Sequence, residues 1–187
     1  MKLKLFFPLL LIFAGCFLQK EHYDVVRKVP KLKYETPPGG VWLHDNLFMD
    51  KTEVRNLDYL EFLYWTNRKE PEKLKSLLPD TAVWRDSLNY NEPYIMYYLR
   101  HPAYYNYPVV GISYEQAVAF CNWRSDRVNE FIYIRDHKVK NWNDTTVYPF
   151  TEVMHFRLPT KEEWEYAAAA GLGQDQYPDR KSVVEGK

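Results

Sequence analysis

Glycine is scarce: 7 in 187 residues, about half the ~7% average usage. No Gly-x-Gly-x-x-Gly and no Gly-x-x-x-x-Gly-Lys stretch occurs, so nucleotide binding has no support. Cysteine is scarcer still. Cys16 and Cys121 are the only two, which excludes a disulfide-stapled scaffold and a zinc site built mainly from thiolates. Charge of one sign is absent as well. Lys+Arg and Asp+Glu are 25 each, and without a basic excess no nucleic-acid partner is expected. The apolar run near the N-terminus, Leu5 to Phe13, is far shorter than the ~20 residues a bilayer span needs. The five histidines are His22, His44, His101, His137 and His155. None is spaced as a helical metal pair, so no metal site is expected from them.

What is present looks globular: 46% hydrophobic and 27% charged residues exclude general disorder. The aromatic content is the outlying feature, with 6 Trp, 16 Tyr and 10 Phe. A chain of this length holds one domain of ordinary size plus a targeting segment.

The first residues carry a secretory layout. Lys2 and Lys4 form a positive start, Leu5 to Phe13 an apolar stretch, and Ala14-Gly15 precede Cys16. Small residues ending at a cysteine resemble the bacterial lipoprotein cleavage box, although Phe13 stands where Leu is usual. On this reading residues 1–15 are removed and Cys16 is acylated; an ordinary cleaved signal with an incidental cysteine is the alternative. Removal would take two lysines and leave the chain near −2. Residues 16–38, polar and charged with Pro30, Pro37 and Pro38, read as a tether between membrane and domain. The expected location is the bacterial cell envelope, periplasm or outer membrane.

Beyond Pro37-Pro38-Gly39-Gly40, Val41–Asn46 and Leu47–Val54 read as short strands, with Phe48, Asp50, Thr52 and Val54 on one face. Asn56 is placed to cap a helix running to about Asn67. Ser113-Tyr114-Glu115-Gln116 and Thr160-Lys161-Glu162-Glu163 both fit the capping box. The first helix runs to about Arg127 and buries Ala117, Phe120, Cys121 and the stem of Arg124. The second carries Trp164, Ala167 and Ala168 inward, and Gly171 can end it. A shorter helix is expected over Glu72–Leu78. Cys121 lies on an apolar stripe, where a free thiol packs as a small hydrophobe. Asn143-Asp144-Thr145 is a formal glycosylation sequon without force behind a bacterial signal.

Three stretches together resemble the formylglycine-generating enzyme (sulfatase-modifying factor) family. They are Phe48-Met49-Asp50-Lys51-Thr52-Glu53-Val54-Arg55-Asn56, then Tyr107-Pro108-Val109-Val110-Gly111-Ile112-Ser113-Tyr114-Glu115-Gln116-Ala117, then Phe156-Arg157-Leu158-Pro159-Thr160-Lys161-Glu162-Glu163-Trp164. The resemblance covers about residues 41 to 172. It implies an α+β fold of C-type-lectin-like kind, with short strands, about three helices and much irregular loop. Taken one by one, the motif residues read as scaffold rather than chemistry. Arg157 is the leading exception, as a buried guanidinium paired with a carboxylate, and for it too a structural pair is the favoured reading.

The family's catalytic form is a copper-dependent oxidase that makes formylglycine, and a sister branch uses non-heme iron. Their reactive residues come from the C-terminal half, whose Trp- and Gly-rich segments are absent here. The catalytic residues of this chain are therefore unknown, and copper or iron is implied only if the full-length protein is catalytic. Residues 39–178 read as the N-terminal part of the domain. Residues 179–187 read as a non-native tail, with the natural protein expected to continue.

The stretch from Asn89 to Pro108 carries Tyr90, Tyr94, Tyr97, Tyr98, Tyr104, Tyr105 and Tyr107, broken by Pro93 and Pro102. With Leu78–Trp84 before it, it resembles an insertion in the gliding-motility and type IX secretion lipoproteins of the family. Those members are structural parts of an envelope machine. Tyrosine buries large area at low entropic cost and is common at interfaces, so segment 90–107 is the expected site for an envelope protein partner. The alternative is that these rings pave an irregular core.

Overall fold

A computed structural model describes residues 36–143 and 146–169, which belong to one compact unit, Tyr34–Lys187. Cys16, the leader and most of the tether lie outside the described residues, as do Gly171 and the tail at 179–187.

Two strands form an antiparallel hairpin, β1 (Gly40–His44) and β2 (Leu47–Asp50), in the register Val41↔Met49 and Trp42↔Phe48. Asp45, at φ 44°, makes the tight turn, a left-handed position that a short polar side chain tolerates. β2 stops four residues short of the expected Val54. The chain there leaves β1 for a new partner: the Val109 N–H donates to the Val54 carbonyl at 2.9 Å, and Arg55 bridges to Pro108. The first and second family-like stretches thus meet.

Helix α1 covers Asn56–Lys69. Its cap is Arg55 rather than the expected Asn56. Arg55 is extended at φ −83°, ψ 159°, and the Asp58 carboxylate accepts its backbone N–H at 3.2 Å and its Nη2 at 2.7 Å. The orphan N–H groups of the first turn need no side-chain cap. Asn56 N–H donates to the Tyr107 carbonyl and Leu57 N–H to that of Tyr105. A 3-10 turn at Pro71–Lys73 leads into α2 (Leu74–Leu77), within the helix expected there. A further short helix, α3 (Glu92–Tyr97), opens on Pro93 inside the Tyr-rich stretch, where proline is tolerated in a first turn.

α4 (Tyr114–Asp136) starts at the expected capping box. Ser113 Oγ accepts the Gln116 N–H at 3.3 Å, and Gln116 Oε1 accepts the Ser113 N–H at 2.8 Å. It runs nine residues past Arg127, since nothing in Val128–Asp136 breaks a helix; Lys138, at φ 52°, marks its end. α5 (Lys161–Ala169) also starts at its box, with the Glu163 N–H on Thr160 Oγ1 and the Thr160 N–H on Glu163 Oε2.

The core sits between α1 and α4: Tyr59, Phe62, Leu63, Leu99 and Phe120 are buried, with Leu74, Leu77, Val109, Ile112 and Trp123 packed against them. Tyr59 stacks on Phe120, and Phe62 meets Phe120 edge-on. The Tyr59 hydroxyl donates to the Leu77 carbonyl at 2.9 Å, and burial pushes it up to about 12. Gly111 explains its place in the second stretch. At φ 73° a Cβ there would stand 2.2 Å from the Asp80 carbonyl oxygen, and the Gly111 carbonyl accepts the Asp80 N–H at 2.7 Å. Only glycine allows both the left-handed backbone and that approach.

Candidate functional site

The Tyr-rich stretch folds as a stack of rings joined to the N-terminal end of α1. Asn56 sets it. Its side chain is fully buried, and Nδ2 donates to the carbonyls of Tyr98 (3.0 Å) and Tyr104 (2.9 Å). Asn56 Oδ1 is buried with no hydrogen-bond partner. From that anchor the rings build outward. Tyr98 stacks on Tyr104 at 5.3 Å and meets Trp84 at 4.6 Å; Trp84 meets Tyr94, and Tyr104 meets Tyr107 edge-on. The Tyr98 hydroxyl donates to the Pro108 carbonyl at 2.8 Å. Such pairs prefer these offset and edge arrangements and stabilise each other beyond area alone.

The stack has a buried side and an exposed side, so the expectation that these rings pave an interior is met in part. Tyr98 and Leu99 are buried and Tyr104 and Tyr105 half-buried; these pave the interior. Tyr90 is 83% exposed, Tyr107 54% and Tyr97 50%, with Tyr94, Met96 and Leu88 also exposed. Beneath the exposed rings, Asn56 holds the main chain at Tyr98 and Tyr104.

A second cluster joins the hairpin to α4. Arg124 forms a two-pronged pair with Asp50, at 2.5 and 2.9 Å, and its Nη2 also donates to the Pro38 carbonyl at 2.8 Å. Its guanidinium lies 4.2 Å from the Phe156 ring centre. Cys121, one turn earlier, is a half-buried free thiol. Burial pushes it up, and Asp50 adds to that against the opposing charge of Arg124. A thiol held protonated is a poor nucleophile.

The far end of α4 does work no sequence pattern announced. Asn129 is buried; its Nδ2 donates to the carbonyls of Ser125 and Met154, and its Oδ1 accepts the N–H groups of Val153 and Met154. Ser125 Oγ accepts the Phe156 N–H at 2.8 Å. Two polar side chains four residues apart thereby hold the extended chain that leads to α5. The available signal was a Ser-x-x-x-Asn pair on the helix's inward stripe.

Two expectations for the third family-like stretch need correction. Arg157 does pair with a carboxylate, Glu163 at 2.6 and 2.7 Å, but its side chain is 47% exposed rather than buried. The hydrogen bonds from Arg157 and from the Thr160 N–H hold the Glu163 carboxyl down at about 2. The pair braces the turn before α5. Trp164, expected inward, is 60% exposed. Tyr166 makes the hairpin contact instead, its ring edge-on to His44 at 5.0 Å, while Ala167 and Ala168 are half-buried as expected.

Of the histidines, His155 pairs with Glu152 at 2.6 Å and His137 stacks on Tyr133. Among the described residues no three His, Cys, Asp or Glu side chains group as a metal site. Among them, too, no helix is long and apolar enough to cross a membrane.

No curated protein and no solved structure matches the chain. A family model does, that of the sulfatase-modifying factor enzyme 1-like domain, over residues 8–187. The match spans nearly the whole chain and takes in all three stretches read from the sequence, so the chain belongs to this family.

Proposed function

We propose that this protein is a lipid-anchored component of a bacterial cell-envelope assembly, of the gliding or secretion kind, whose family domain binds a protein partner rather than catalysing a reaction. The observation that carries the reading is the outer face of the tyrosine stack. Tyr97 and Tyr107 are exposed by half or more beside Tyr98 and Tyr104, whose carbonyls Asn56 holds from beneath, and Tyr90 extends the exposed aromatic area. Exposed, pre-ordered aromatic rings are the side chains that interfaces use as anchors. The layout from Lys2 to Cys16 supports the anchor, and the lectin-like variant of the α+β fold remains part of the proposal.

Two measurements test it. Cys16→Ser should abolish incorporation of a labelled fatty acid in a bacterial host and release the protein from the membrane fraction. Retained labelling would overturn the anchor. A photo-crosslinking residue at Tyr90 or Tyr97 should trap one defined envelope protein in cells, whereas the same residue at Glu61, on α1, should not. Equal trapping at all three would overturn the docking face. The alternative, metal-dependent oxidation of a thiol substrate with copper or non-heme iron, draws its support from family membership. Full-length protein that takes up Cu(I) and converts a cysteine peptide would replace the binding reading with that one.

A further inference from the structure

We draw no further inference here: the strongest candidate, the cleft of about 200 Å³ between α4 and the extended chain at 150–155, lined by Ser125, Asp126, Asn129, Glu152 and His155, is an acidic cluster whose two deeply buried polar side chains, Ser125 and Asn129, already have their hydrogen bonds filled by Cys121 and Phe156 and by Ser125, Val153 and Met154, so nothing in the structure points to a ligand.

Discussion

The part of the molecule around α1 and the first half of α4 and the part from Phe150 to Ala169 are held by different forces. In the first, five large side chains are buried against one another. In the second no residue is fully buried, and attachment runs through Asn129, Ser125 and Arg124 on α4. Apolar burial is non-directional and scales with area. Hydrogen bonds fix direction but contribute only about 1 kcal/mol each, net. The first part should therefore set global stability, and the second should open locally before the rest unfolds.

The sharpest way to break this contrast is Phe120→Ala. Phe120 touches Tyr59, Phe62 and Trp123 within one ring cluster. Truncating a buried Phe costs about 3–5 kcal/mol, so urea unfolding followed by tryptophan fluorescence should shift by that amount or the variant should fail to fold. A loss under about 1 kcal/mol would mean the cluster is not the core. Gly111→Ala comes next, at roughly 3 kcal/mol, from left-handed strain and the Asp80 carbonyl in its way. Its effect should appear in the same unfolding curve, because Gly111 ties the turn before α4 to Asp80.

Asn129→Ala probes the second part. It strands the N–H groups of Val153 and Met154. Because that chain is partly solvated, water can replace the lost acceptor, and the expected cost is about 2 kcal/mol or less. The distinguishing readout is amide exchange. Met154 and Phe156 should exchange faster while Leu63, in α1, keeps its protection. Equal acceleration at both sites would erase the distinction between the two regions.

The same contrast explains which features were legible beforehand. Ser113 and Thr160 were readable as caps because a capping box needs only four consecutive residues, and both helices begin there. Asn56 looked like a cap for the same local reason. The carbonyls of Tyr105 and Tyr107 satisfy α1 from about fifty residues away, and no local pattern encodes that. The Ser125-x-x-x-Asn129 spacing marks a polar pair but not its partners, which lie 24 or 25 residues on. The family was legible because its three stretches are contiguous. Their meeting at Val54, Arg55, Pro108 and Val109 was not. Trp164 differs from expectation because an aromatic three and four residues before Ala167 and Ala168 suggests one inward stripe, yet Tyr166 takes the hairpin contact.

A pH titration sharpens the comparison at smaller amplitude. The Glu163 carboxyl sits at about 2 in the folded chain, against 4.5 ordinarily. A lowered folded value means its stabilisation is complete above about pH 4.5 and fades as pH falls towards 2. The start of α5 should therefore loosen in that window, seen as faster amide exchange at Glu163 and Trp164. Glu163→Gln should remove the pH dependence there and leave the exchange of the α1–α4 core untouched. An unchanged profile in the variant would separate Glu163 from the effect.

The smallest expected change in stability belongs to the face with the largest expected change in binding. Tyr97 is half exposed, and its ring contact here is edge-on to His101. Tyr97→Ser should leave the unfolding midpoint within about 0.5 kcal/mol of the parent, as surface substitutions do. Tyr98, one residue on, carries the Trp84 and Tyr104 contacts and a hydroxyl bond to Pro108, so Tyr98→Ser should destabilise the fold markedly. Paired measurements on these adjacent positions separate paving from docking. If Tyr97→Ser abolishes crosslinking from Tyr90 while the fold is intact, the outer rings act in recognition. If Tyr97→Ser destabilises as Tyr98→Ser does, the stack is one structural unit and its exposed face carries no separate function.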